Sequence, residues 1–194
     1  MAKVVVKSKV KKVKRKFPVE IKAPEIFNSI SLGKSNVTDL NTLIGKQVKI
    51  NLMYVTNNVR NQNIRLIFKI SEVNAGVAKT QIVSCQQIPY YLNRFVKKGS
   101  DLIADSFECI SKDNKVVTIK PFIVTKENTS VNVLNSIRAK VKELVEKDIK
   151  SKTAEVFVAD VTGGKVQLGY RNEVKKIFPL KAFEFKHVII NKSK

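Results

Sequence analysis

The stretch Asn63-Ile-Arg-Leu-Ile-Phe-Lys-Ile-Ser-Glu-Val-Asn-Ala-Gly-Val-Ala-Lys-Thr-Gln-Ile-Val-Ser-Cys85 decides the fold. Apolar residues recur at every second position through Ile64, Leu66, Phe68 and Ile70, the period of a strand with one face on a core. Asn74-Ala75-Gly76 has the composition of a tight connection, and Val77–Cys85 reads as a further strand. Strands joined by so short a turn lie antiparallel, because a parallel crossover needs a dozen or more residues.

The same pattern extends to both sides. Val48–Val55 alternates apolar and polar residues and predicts a half-buried strand, ended by a turn at Asn57-Asn58. Phe17–Phe27 contains Pro18 and Pro24, which forbid a helix; Val19 and Ile21 alternate with charges and predict an edge strand or extended segment. A polar stretch, Asn28–Leu43, follows and is closed by Gly45. Beyond the hairpin, Pro89 opens a short helix with Leu92, Phe95 and Val96 on one side and Gly99 as its stop. Leu102–Ser111 and Val116–Val124 then form a second hairpin around Lys112-Asp113-Asn114.

The period changes at Asn128–Ser130. Leu134, Ile137, Val141, Leu144, Val145 and Ile149 recur at helical spacing, with Ser130 as the cap. Residues 153–161 fit two readings: β-branched content suggests a strand, whereas Thr153 as a cap and Gly163-Gly164 as a stop suggest a helix. Gln167–Phe178 reads as a helix stopped by Pro179, and Leu180–Ile190 as a final strand. The order predicts an α+β protein. Residues 1–16 are a basic arm, 17–126 a mainly β core, and 127–194 a helical region whose final strand packs on that core to make one compact unit.

Charge narrows the function. The 194 residues contain 37 Lys and Arg against 16 Asp and Glu, a formal net charge of +21. Such a surplus implies a polyanionic partner, most commonly nucleic acid. Only six of the 37 are Arg. Lys neutralises phosphate as a point charge, whereas bidentate base reading favours Arg, so backbone binding is expected rather than sequence recognition. The arm holds Lys3, Lys7, Lys9, Lys11, Lys12, Lys14, Arg15 and Lys16 and no acid. Like charges repel, so it is expected to be disordered when free and to order on RNA. Lys22, Lys34, Arg60, Arg65, Arg94, Lys97, Lys98, Arg138, Lys175 and Lys176 are the further candidate RNA-binding residues. Tyr90 and Tyr91 beside Arg94 are free to stack on bases or to pack in the core.

Catalysis finds no support. His187 is the sole histidine and alternates with Phe183, Phe185 and Ile189, which reads as a structural or solvated position on a sheet face. Cys85 and Cys109 read as buried reduced thiols and cannot make a zinc site. Leu32-Gly33-Lys34-Ser35 resembles the end of a phosphate-binding loop, but Asn28 stands where its first glycine belongs. No cofactor, metal or small-molecule substrate is expected, and no apolar run approaches a membrane span. A cytoplasmic protein that is not a homo-oligomer is the default.

Five segments, in order, carry a family resemblance: Phe17–Phe27, with its Lys-Ala-Pro; Ile44-Gly-Lys-Gln-Val-Lys-Ile-Asn-Leu52; the hairpin Asp113–Phe122; Ser136-Ile-Arg138; and Val174-Lys-Lys-Ile-Phe-Pro-Leu-Lys181. Together they resemble the archaeal and eukaryotic small-subunit ribosomal proteins of the eS-one, or S-three-a-e, family, from about residue 17 to 190. The chain departs from the family pattern in having no Trp, in residues 84–92, and in Asn114 where the family has a turn glycine. The resemblance implies a β-barrel-like core flanked by helices and a place on the small-subunit platform near the mRNA exit. It also implies small-subunit rRNA and neighbouring ribosomal proteins as partners, with mRNA near the exit as a further one. A free RNA- or DNA-binding regulatory module is the alternative.

Overall fold

Alternating apolar residues and proline-limited backbone set the first elements. The computed structural model describes residues 16–74 and 76–191. Strand β1 (Phe17–Lys22) is followed by β2 (Ser31–Val37), β3 (Gln47–Asn51), the helical turn α1 (Leu52–Thr56), and the long hairpin β4 (Ile64–Asn74) and β5 (Val77–Gln87). Next come α2 (Pro89–Asn93), β6 (Leu102–Ile103), β7 (Phe107–Ile110) and β8 (Val116–Thr125). The chain continues through α3 (Val131–Ser151), α4 (Ala154–Thr162), α5 (Lys165–Lys175) and β9 (Leu180–Asn191). The α+β class is therefore as expected.

The nine described strands form one sheet, with the path β2-β1-β5-β9-β8-β6 and with β3-β4 and β7 attached to it. It is mostly antiparallel and does not close into a barrel. Strand β5 is its hub. Along one side it pairs with β4 from end to end. On its other side Val77–Lys79 pair with β1, and Ser84–Gln86 pair with β9. The β1–β5 pairing is parallel, an exception to the expected antiparallel meander. Strand β1 is not an edge strand, since β2 covers its other side.

Four further local readings are corrected. The strand expected over Val48–Val55 ends at Asn51, because the Asn51 side chain accepts from the Met53 N–H at 3.0 Å and donates to the Gln62 carbonyl at 2.6 Å. That cap starts α1 and overrides the alternation. The polar stretch Asn28–Leu43 contains β2, where Gly33-Lys34-Ser35 lies in a strand with Lys34 opposite Glu20. The chain there is neither a loop nor a helix entry, so it lacks the shape that wraps a phosphate. The helix opened by Pro89 stops at Asn93, well before Gly99. The strand over Leu102–Ser111 is split into β6 and β7, and Asp105 in the gap turns to meet Arg138 of α3.

Helices α3, α4 and α5 cover one face of the sheet. Ile137, Val141, Val145 and Ile149 of α3 are buried against it at the predicted spacing. Ser130 stands at the N-cap position, but its side chain makes no capping bond. The ambiguous segment is helical: the Thr153 hydroxyl accepts from the Val156 N–H at 3.4 Å, and Ala154, Phe157, Val158 and Val161 are buried. Tyr170, Phe183 and Phe185 meet edge to face with centroids 5.7–6.0 Å apart. The Tyr170 hydroxyl is held by Asp148 at 2.5 Å. Burial and that bond keep its pKa well above the usual tyrosine range.

Candidate nucleic-acid interface

Because strand side chains alternate, every strand under the helices presents a second set of residues to the other face. Part of that outer face is closed by α2. Leu92, with Tyr91 and Phe95, packs on Phe122, Val124 and Ala182. Glu184 also faces this region; burial raises its carboxyl pKa, against a 2.6 Å bond from the Gln87 amide. The remainder of the outer face is open.

The candidate RNA-binding residues are spread over this framework rather than gathered into one patch. Lys3, Lys7, Lys9, Lys11, Lys12, Lys14 and Arg15 lie outside the described residues, and Lys16 is exposed just before β1. Lys22 is half-buried on β1 beside Lys79 of β5, and Lys34 is exposed on β2. Arg60 is exposed in the turn Val59–Asn61, where its N–H donates to the Asn58 side chain at 3.1 Å. Arg65 is exposed on the outer side of β4. Arg94, Lys97 and Lys98 follow α2 and are exposed, with the Arg94 guanidinium 5.4 Å from the centre of the Tyr91 ring. Tyr91 packs edge to face on Phe95, whereas Tyr90 is 84% exposed, so the two tyrosines divide between core and surface.

The helices tell a different story. Arg138 donates to Asp105 at 3.1 Å and to the Asn135 side chain at 2.9 Å. Lys140 and Lys147 converge on Glu143, Lys142 lies near Glu146, and Lys176 pairs with Glu173 at 2.8 Å. The lysine hydrogen bonds hold the Glu143 and Glu173 carboxyls below their usual range. Lys175 is exposed at the end of α5. Much of the helical positive charge is thus matched by acid, and such exposed pairs contribute little to stability.

The open part of the sheet also carries Lys120, which the sequence shows only as one of many basic residues recurring in every element, His187, which reads there as structural or solvated, and Gln86, which has no signal. Lys120 of β8, Gln86 of β5 and His187 of β9 are half-buried and face outward with Arg65. Burial, then Lys120 and Lys186, lower the His187 pKa, so the ring is neutral at pH 7. Its Nε2 is buried without a hydrogen-bond partner among the described residues.

Among the described residues, no group of three or more His, Cys, Asp or Glu side chains is placed to hold a metal. Both thiols are buried; burial pushes the Cys85 pKa up to about 12. A cleft of about 460 Å³ beside Gly33 is lined by Leu32, Lys49, Ile50, Asn51 and Tyr54 among others, but not by Lys34. Among the described residues no helix is long and apolar enough to cross a membrane.

A mixed sheet thus carries helices on one face and an open, largely polar face on the other, in a chain with a large cationic surplus. Comparison with known sequences specifies its class. The profile of the Ribosomal S3Ae family matches residues 5–194, and the chain belongs to this family of ribosomal proteins. It is 32% identical over 166 residues to the small ribosomal subunit protein eS1 of Nanoarchaeum equitans, covering 86% of this chain and 84% of that one. It is 27% identical over 176 residues to the protein of the same name from Haloarcula marismortui, covering 91% and 83%. Archaeoglobus fulgidus supplies a further relative of that name, 26% identical over 168 residues, covering 86% and 80%. The role is that of a structural component of the ribosome.

Proposed function

We propose that this chain is a structural constituent of the small ribosomal subunit that binds its rRNA by neutralising phosphates. The observation that carries this reading is the net charge of +21, with lysines and arginines exposed on β2, on β4 and after α2. Family membership supplies the ribosomal setting. The cations of residues 1–16 follow an rRNA strand. The β portion, 17–126, and the helical portion, 127–194, dock as one unit through Lys22, Lys34, Arg60, Arg65, Arg94, Lys97, Lys98, Arg138, Lys175 and Lys176. The site of docking is the platform near the mRNA exit, among neighbouring ribosomal proteins. Phosphate contacts position the protein without reading sequence.

Sedimentation of a cytoplasmic lysate through sucrose at low and moderate salt tests this. The expected result is co-migration with small subunits at about one copy per particle. A peak at the top of the gradient would reject it in favour of a free nucleic-acid-binding module. On isolated RNA, engagement of about ten phosphates gives a log–log salt slope of roughly −7 to −9.

A further inference from the structure

The ladders of the sheet place four outward residues in one line. Arg65 of β4 lies opposite Gln86 of β5, Gln86 lies opposite His187 of β9, and His187 lies opposite Lys120 of β8. Three inter-strand steps of about 4.8 Å make this row about 14 Å long. It crosses the joint where β5 and β9 pair over only three residues. Its alignment has a local cause at one end. Pro121 has no N–H for the ladder, and β9 bulges at Lys186 opposite it, so Lys120 pairs with His187 while Pro121 pairs with Phe185.

The next rung on the same face differs. It runs from Lys49 through Ile67, Ser84 and Ile189 to Thr118, and then to Glu108, which accepts from the Thr118 hydroxyl at 3.5 Å. A rung with a cation at each end therefore lies beside a rung in which Ile67 and Ile189 flank the buried Ser84. Near the β3 side, the cleft beside Asn51 and Lys49 is lined by Tyr54, a residue 67% exposed. Asn51 lies opposite Arg65, but its side chain is fully occupied in holding α1.

Arg65 and Lys120 share with Lys34, Arg60, Lys97, Lys98 and Lys175 the lack of a side-chain partner among the described residues; what distinguishes them is that one rung sets them in line on an outward sheet face. Among the described residues, the side chains of Arg65, Gln86 and Lys120 make no hydrogen bond or ion pair with protein. Lys140, Lys142 and Lys147 of α3 each lie against a carboxylate, whereas Arg65 and Lys120 make no ion pair among those residues.

We propose that the row Arg65–Gln86–His187–Lys120 is a docking rail for the phosphate backbone of an RNA strand. Ile67 and Ile189 of the adjacent rung lie under its sugars and bases, and Tyr54 stacks on a base at the β3 side. This rests on the rRNA-binding reading for the identity of the partner. It adds a defined face, and three residues that the candidate set lacked. Phosphates sit at Arg65 and Lys120, Gln86 donates between them, and His187 lies beneath the strand between Gln86 and Lys120. The arrangement joins a cationic track to an aromatic platform, the pairing that single-strand binders use.

The test uses the full chain, a poly(U) strand and two variants of equal charge change. Arg65→Gln/Lys120→Gln removes the ends of the rail. Lys142→Gln/Lys147→Gln removes two lysines from α3. Thermal unfolding followed by circular dichroism confirms that both fold. The rail variant is expected to lower the salt slope by about 1.4, which is two single-strand phosphate contacts, while the α3 variant leaves it unchanged. The sole histidine gives an unambiguous imidazole resonance, which is expected to shift on saturation with poly(U) in the unmodified chain. Equal losses in the two variants, or saturation with an unmoved imidazole signal, would overturn the rail while leaving RNA binding intact. A rail variant that loses subunit incorporation at an unchanged RNA slope would assign the face to a protein neighbour and also overturn it. An unmodified chain with no salt-dependent RNA binding would instead remove the rRNA-binding reading beneath it.

Discussion

Leu66, Cys85, Val188 and Ile119 lie opposite one another across β4, β5, β9 and β8 and are buried under the helices. Arg65, Gln86, His187 and Lys120 occupy the adjacent rung of the same four strands and face outward. A shift of one residue along each strand separates core from surface. The two rungs share backbone, register and neighbours, so their difference isolates what side chains contribute. The covered rung supplies stability through buried apolar area. The open rung adds little to stability, and its cations remain available to a ligand.

Substitutions can break or sharpen that contrast. Leu66→Ala on the covered rung is expected to cost about 2–5 kcal/mol, read by chemical denaturation. A loss well below that range would mean that the helices do not seal the sheet. Removing the cap that fixes one of those helices should matter less: Thr153→Ala is expected to cost about 1 kcal/mol in the same assay. An unchanged midpoint would show that α4 is held by packing alone.

His187 lies on the open rung, yet it connects that rung to stability through pH. Its ordinary pKa is 6.5, and burial with Lys120 and Lys186 lowers it in the folded chain. Below pH 6.5 the unfolded chain takes up the proton first. The stability contributed by the neutral ring is therefore present above that pH and is lost as pH falls through the folded value. Subtracting the pH profile of His187→Gln from that of the unmodified chain should leave this downward limb. The raised pKa of Glu184 acts in the opposite sense and cancels in the subtraction. A flat difference would mean that the folded environment does not disfavour the charged ring. The smallest effect belongs to Arg65→Gln, expected to shift stability by no more than about 0.5 kcal/mol. A large loss there would make the open rung structural.

The hairpin of β4 and β5 was legible because its alternation and turn agree with its final environment. Strand β2 was not. Ser31–Val37 has a glycine, few apolar residues and no clear alternation, and it is a strand because β1 offers it an edge. The α4 segment carried its answer in the 154, 157, 158, 161 spacing, which its β-branched residues masked. Of the interface, the charge was legible and the geometry was not. Each member of the rail is unremarkable in its own stretch of sequence. Their alignment depends on pairings between distant strands and on a bulge opposite a proline, which no local window contains. His187 read as structural or solvated for the same reason, since its neighbours in the chain are aromatic while its neighbours in space are polar.

The short joint between β5 and β9 also bears on how the molecule is made. The contact between Gln87 and Glu184 spans 97 residues of chain. A nascent polypeptide can form the β4–β5 hairpin early, because its partners are close in sequence. Arg65 and Gln86 are then in place, but His187 has yet to be synthesised and β8 has no strand linking it to β5. The row proposed to face RNA is completed only when β9 is inserted. Unfinished chains would hold half a binding face, so assembly would favour molecules whose synthesis has passed that point.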